Sequence, residues 1–148
     1  ALAMAWIARK QKRWCILCGF SGGTVGTKLL IPPGRGNEQE LLDWLEHFFN
    51  GGTDMDVPLM VMQDWWKEFI AAGMPRGKTD IVMITDAECR VPPAFSKSFN
   101  DFKKAEKIKM TAIVVEGEPG NISEVCDAVF EVPALTTDCE AVGKVLSV

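Results

Sequence analysis

The chain has 148 residues, 47% apolar and 24% charged, with a net charge of −4. That balance suits one globular domain with a sizeable core and excludes a disordered chain. It also excludes a broad nucleic-acid surface, which needs a surplus of Lys and Arg.

No apolar run reaches the ~20 residues that a membrane-spanning helix needs. The basic residues Arg9, Lys10, Lys12 and Arg13 follow the apolar stretch Ala1 to Ala8. A secretory signal has the reverse order. Five cysteines form no disulfide framework for a chain of this size. Cys15 and Cys18 have C-x-x-C spacing, but they lie in a strand-like run, where positions three apart face opposite ways. They are expected as buried thiols rather than a metal pair, in a reducing, cytoplasmic setting.

In chain order, Ala1 to Lys12 reads as an Ala-rich helix with Leu2, Trp6 and Ile7 as its apolar stripe and basic residues in the last turn. Arg13 to Phe20 reads as a buried strand stopped by Ser21-Gly22-Gly23. Val25 to Ile31 returns as its hairpin partner. The run Pro32-Pro33-Gly34-Arg35-Gly36 breaks the chain, and its glycines do not make a dinucleotide fingerprint. Asn37, with Glu40 three residues on, caps a helix whose stripe is Leu41, Leu42, Leu45, Phe48 and Phe49. His47 falls in its last turn, where a cation suits the dipole, and it has no Ser or Cys partner nearby in sequence.

Asn50-Gly51-Gly52-Thr53-Asp54 separates this helix from the next. Asp56 is expected to cap that next helix, with Pro58 in its first turn and Leu59, Met62, Trp66, Phe69 and Ile70 facing inward. Adjacent Trp65 is expected at the edge. Gly73 and Pro75 end the helix. Ile81 to Ile84 is apolar throughout, as a strand covered on both faces must be, and delivers Thr85-Asp86 at its end. Pro92-Pro93 open a helix with Phe95, Phe99, Phe102 and Ile108 near helical spacing. Lys103, Lys104, Lys107 and Lys109, interleaved with Asp101 and Glu106, read as its solvated face. Thr111 to Val115 is a second apolar strand, Asn121 begins a short helix, and Val129 to Val132 is a short edge strand. Thr137 with Glu140 caps a last helix.

Positions 1–148 thus predict one α/β domain, a three-layer Rossmann-like sandwich around a mostly parallel sheet with one antiparallel edge strand. A helix that opens by feeding a buried strand is unusual, because crossover helices follow a strand of the same sheet. A strand ahead of Ala1 is therefore expected.

In open α/β sheets, ligands bind beyond the carboxyl ends of the strands. Asp86 and the Ser21 loop are expected there, and Thr53-Asp54 sits at a helix entrance on that side. A hydroxyl and a carboxylate converging there suit a hard cation with oxygen ligands, Mg²⁺ above all. Equally, Thr53 or Asp54 could merely cap the helix and Asp86 merely end a strand.

Gly51-Gly52-Thr53-Asp54, then a long helix, then Ile81-Val82-Met83-Ile84-Thr85-Asp86, resembles the von Willebrand factor A (VWA) family, as does the segment order from Ala1 to Leu146. The GGTD form looks closest to bacterial VWA proteins that work beside AAA+ ATPases. The resemblance implies a metal-ion-dependent adhesion site in which Thr53 and Asp86 hold Mg²⁺, while Gly51, Gly52 and Asp54 shape the loop. It implies a protein-interaction module, not an enzyme, that captures an acidic group of a partner, with an AAA+ ATPase as partner class. The family's Asp-x-Ser-x-Ser motif is absent from this chain. The family carries it after a first, central strand that would precede Ala1. The chain then corresponds to the C-terminal part of such a domain, its first strand lost or supplied by another chain, and binds Mg²⁺ weakly or not at all alone. The alternatives are a small Mg²⁺-dependent hydrolase using Asp86 and Glu88, or a metal-independent scaffold.

Overall fold

The computed structural model describes residues 2–21, 24–47, 56–77, 79–86 and 91–133. The expected helix from Thr137 lies outside them, as do Phe48 and Phe49. Among the described residues the architecture is mixed α/β, with an antiparallel two-stranded sheet, a parallel three-stranded sheet, and helices against both.

Helix α1 (Leu2–Lys10) ends in Arg9 and Lys10, and Lys12 at φ 54° turns the chain into β1 (Cys15–Ser21). The buried residue of α1 is Ala5, packed against Leu17 of β1 and Ile31 of β2 (Thr24–Ile31). The expected stripe is corrected here, because Leu2 and Trp6 are exposed. A methyl side chain lets the helix backbone approach the strands closely, which a Leu or Trp at that position would prevent. Trp6 instead lies under the Arg9 guanidinium, 5.3 Å from its ring centre.

β1 and β2 form the expected antiparallel hairpin, from Cys15 opposite Ile31 to Ser21 opposite Thr24, with a bulge between Gly19 and Ser21. Strand alternation divides its side chains between two cores. Cys15, Leu17, Leu29 and Ile31 meet α1 and α2 (Glu38–Leu45). Trp14, Ile16, Cys18 and Leu30 meet α3 (Asp56–Ala71). The two cysteines therefore point to opposite faces as free thiols. Burial raises both above the ordinary thiol value, Cys18 to about 12, with the Lys28 ammonium pulling it only partly back. At pH 8, maleimide labelling of Cys18 should run at least ~100-fold slower than that of a free cysteine, because the thiolate is the nucleophile and little of it forms that far below about 12. Mass spectrometry of timed samples measures it.

Asn37 caps α2 as expected, its Oδ1 accepting from the Gln39 N–H at 2.9 Å. The α2 stripe is corrected at Leu42 and Leu45, which are exposed; among the described residues of α2, Leu41 and Trp44 reach the core. Among the described residues the helix meets the hairpin through Leu41 and Trp44 on one side.

On α3, Leu59, Trp66 and Phe69 are buried, Met62 and Ile70 half-buried, and Trp65 sits at the edge beneath the Lys28 ammonium. Asp56 is the first helical residue rather than its cap, and Pro58 falls within the first turn. Gly73, at φ 102°, ends the helix in a conformation that favours glycine.

Strand β3 (Thr79–Thr85) pairs in parallel with β4 (Ile108–Val115), Thr79 opposite Ile108 through Thr85 opposite Val114. β5 (Ala128–Val132) adds to the far side of β4 in parallel. The expected full covering of β3 is corrected at Ile84, which is 41% exposed. Helix α4 (Pro93–Glu106) crosses between β3 and β4 and stops at Lys107, whose φ of 56° puts Ile108 in the strand rather than on the helix. Phe99 has no exposed surface, lying against Phe95 and Phe102. The expected helix at Asn121 is a single 3₁₀ turn, Ile122–Glu124. Asn121 itself brackets Val91, accepting from its N–H at 2.8 Å and donating to its carbonyl at 2.7 Å. Both Ile122 and Val125 are buried in the cluster of Leu59, Met83, Phe99 and Met110.

The lysine face is also corrected. Lys103 turns inward and its ammonium donates to Asp127 Oδ2 at 2.9 Å. The same oxygen accepts the Met110 N–H at 2.7 Å.

Candidate functional site at the carboxyl ends of the strands

The direction of the strands follows from what each end touches. Ile16 of β1, Ile81 of β3 and Ile108 of β4 pack in the cluster of Trp66, Phe69 and Met74, at the C-terminal end of α3. Further along, Phe20, Met83 and Ala112 pack with Leu59, near its N-terminal end. β1, β3 and β4 therefore all run the same way, against α3, and their carboxyl ends open where α3 begins. A helix N-terminus presents unpaired N–H groups and the positive end of the dipole on that side.

Asp86 follows the last residue of β3 and is exposed at this end, with Thr85 buried before it. Ser21 ends β1. It is buried, and its hydroxyl finds no hydrogen-bond partner among the described residues. Sequence reasoning placed the Ser21 loop here but saw no role for that hydroxyl. Its signal was a serine closing a buried apolar strand. The loop after β4 closes over Asp86. A Cβ added at Gly117 would stand 2.5 Å from the Asp86 carbonyl oxygen. Gly117→Ala should shift that loop and lower stability by about 1–3 kcal/mol, read as a lower denaturation midpoint together with a displaced Asp86 backbone resonance.

Gly51, Gly52, Thr53 and Asp54 lie outside the described residues, immediately ahead of α3, and so does Glu88. Of Thr53 and Asp86, the two residues expected to hold a cation, the described site supplies Asp86; the Ser21 hydroxyl, without a partner among the described residues, is a further oxygen at the end of β1. Oxygen donors of this kind fit a hard cation in type, but a Mg²⁺ shell needs near-octahedral coordination. Among the described residues no three His, Cys, Asp or Glu gather into a metal-sized group. His47 lies past the end of α2, its N–H donating to the Trp44 carbonyl at 3.3 Å, and is exposed. None of the described helices is long and apolar enough to cross a membrane.

No protein-family model matches the chain. It is similar to an uncharacterized protein of the archaeon Methanocaldococcus jannaschii, 27% identical over 142 residues that cover 93% of this chain and 34% of the relative. The chain thus spans about a third of that relative's length.

Proposed function

We propose that the chain is the larger part of a VWA-like protein-interaction module, in which the strand ends hold a divalent cation that captures an acidic group of a partner protein. The observation that carries this reading is the convergence of β1, β3 and the start of α3 on one face, with Asp86 exposed after β3 and a buried Ser21 hydroxyl, without a partner among the described residues, closing β1. Thr53 and Asp86 would hold the ion. Gly51, Gly52 and Asp54 would shape the loop that presents Thr53. When bound, Mg²⁺ would supply a hard Lewis acid with an open position for a carboxylate oxygen, a charge-assisted bridge in which no covalent bond changes. The GGTD form favours an AAA+ ATPase as partner class.

Two carboxylate or hydroxyl donors hold Mg²⁺ only weakly, because its shell takes oxygen ligands in near-octahedral geometry. Calorimetric titration tests this. Mg²⁺ should show negligible affinity for the 148-residue chain and micromolar-to-millimolar affinity for the protein expressed from its complete gene. In the complete protein, Thr53→Ala and Asp86→Ala should each abolish the Mg²⁺ heat while leaving the far-ultraviolet circular dichroism unchanged. Tight binding by the short chain alone, or binding indifferent to both substitutions, defeats the reading.

A further inference from the structure

Helices α1 and α2 lie side by side on one face of the hairpin, where Ala5 and Leu41 join the cluster of Leu17 and Ile31. Their order is antiparallel. Arg9 of α1 meets Glu38 of α2, its Nη1 donating to Oε1 at 3.3 Å. One turn further along, Ala5 and Trp6 line a groove opposite Leu41. Continuing that run brings Leu2 level with Leu45.

Helical spacing puts one stripe on each side of the seam. Leu2, Trp6 and Arg9 stand at i, i+4 and i+7 on α1, and Glu38, Leu42 and Leu45 stand at the same spacing on α2. Since Arg9 and Glu38 touch, both stripes border the seam between the helices. Their four apolar members are 41% to 53% exposed. Among the described residues, the other exposed large apolar side chains are Met60 on α3 and Ile84 on β3. Four of six on one seam is a patch rather than a scatter, and such patches mark interaction surfaces.

We infer that this seam is the contact between two copies of the chain, related by a two-fold axis that runs along it. Charge names the occupant. α1 carries Arg9 and Lys10 and no acidic residue, whereas α2 carries Glu38, Glu40 and Asp43 and no basic one. Along the seam, the α1 stripe runs apolar, apolar, basic, and the antiparallel α2 stripe beside it runs apolar, apolar, acidic. A two-fold rotation about the seam sets the α1 stripe of each copy on the α2 stripe of the other. Apolar then meets apolar, and each Arg9 meets Glu38 twice, once within its own chain and once across the interface. The other two-fold setting, with its axis across the helices, stacks α1 on α1 and α2 on α2. It places basic helix on basic and acidic on acidic, an arrangement that like charges disfavour.

The centre of the patch has the composition of a contact hot spot. Trp6 lies beneath the Arg9 guanidinium, 5.3 Å from its ring centre, and Trp and Arg are the residue types enriched at such centres. The area is small. Helices of 9 and 8 residues are roughly 12–14 Å long, so the face falls short of the ~800 Å² per partner of a standard interface. The dimer is therefore weak, with a dissociation constant on the order of 10–100 µM. The seam takes nothing from the strand-end site, and a failed Mg²⁺ titration leaves it standing.

Sedimentation equilibrium of the protein from its complete gene, over concentrations that bracket that constant, is the test. A reversible monomer–dimer equilibrium is expected. Each substitution acts twice in a two-fold dimer, so Trp6→Ala and Leu42→Ala should each weaken it at least ~30-fold. Arg9→Glu alone and Glu38→Lys alone should each weaken it at least ~10-fold, and the two together should restore it to within ~3-fold. All four side chains are exposed, so the far-ultraviolet circular dichroism should stay unchanged throughout. A protein that remains monomeric across the range overturns the inference, whether another segment of the polypeptide or a different partner covers the seam. So does a dimer indifferent to Trp6→Ala and Leu42→Ala, which places the contact elsewhere. A dimer that tolerates both single charge reversals also overturns it, because α1 then does not face α2 of the second copy.

Discussion

Replacing Phe99 with alanine should destabilise the fold by about 3–5 kcal/mol, the range for deleting a fully buried aromatic ring. Phe99 has no exposed surface, and its ring stands 6.0 Å from that of Phe95 and 5.9 Å from that of Phe102. Through its cluster it also joins Leu59 of α3, Met83 of β3, and Met110 and Ala112 of β4. Its removal opens a cavity beneath the three-stranded sheet that α4 cannot close, because Pro92 and Asn121 fix the start of that helix through Val91. The matched comparison is Trp6→Ala on α1. That ring is larger but 53% exposed and touches Arg9 rather than a core, so its loss should stay within about 0.5 kcal/mol. Urea denaturation of both variants measures the difference. A Trp6 cost equal to that of Phe99 would mean that α1, not the α3–α4 layer, anchors the fold.

The features legible in the sequence were those set by local chemistry. The short Gly-containing turn between two strand-like runs announces the hairpin, and Asn37 announces its helix because its side chain has a local job at the cap. The apolar run Ile81 to Ile84 announces β3. Features set by tertiary neighbours were not legible. Leu42, Leu45 and Trp6 have core composition, yet their helices meet the hairpin through Leu41, Trp44 and Ala5 instead, and they stay exposed. Lys103 has surface composition, yet an acid arriving from the turn after the 3₁₀ segment draws it inward. At the site, Asp86 falls where the strand pattern placed it, whereas Thr53 and Asp54 depend on a loop outside the described residues.

Lys103 and Asp127 set the second large effect and its dependence on pH. The Lys103 side chain is 7% exposed and that of Asp127 52% exposed. Their loss is therefore unequal. Asp127→Ala strands a buried ammonium and the Met110 N–H together, and should cost about 2–3 kcal/mol, below the range for fully buried pairs because water reaches the acid's side. Lys103→Met places a flexible apolar chain of similar length in the same channel. It leaves Asp127 hydrated and still bonded to Met110, so it should cost less than about 1 kcal/mol. The pH dependence follows from the carboxyl group. The Met110 N–H first, and then the Lys103 ammonium, hold Asp127 below the ordinary carboxylate value. The folded protein then binds fewer protons than the unfolded chain at acidic pH, so stability rises with pH across that range. The contribution is complete above the unfolded carboxyl value near 3.9 and is lost as pH falls through the lower folded value. Thermal melts from pH 6 to pH 2 should show a shallower acid limb for Asp127→Asn than for the natural protein. An unchanged limb, or equal losses for Asp127→Ala and Lys103→Met, would place the stabilisation in packing around Met110 rather than in the charge pair.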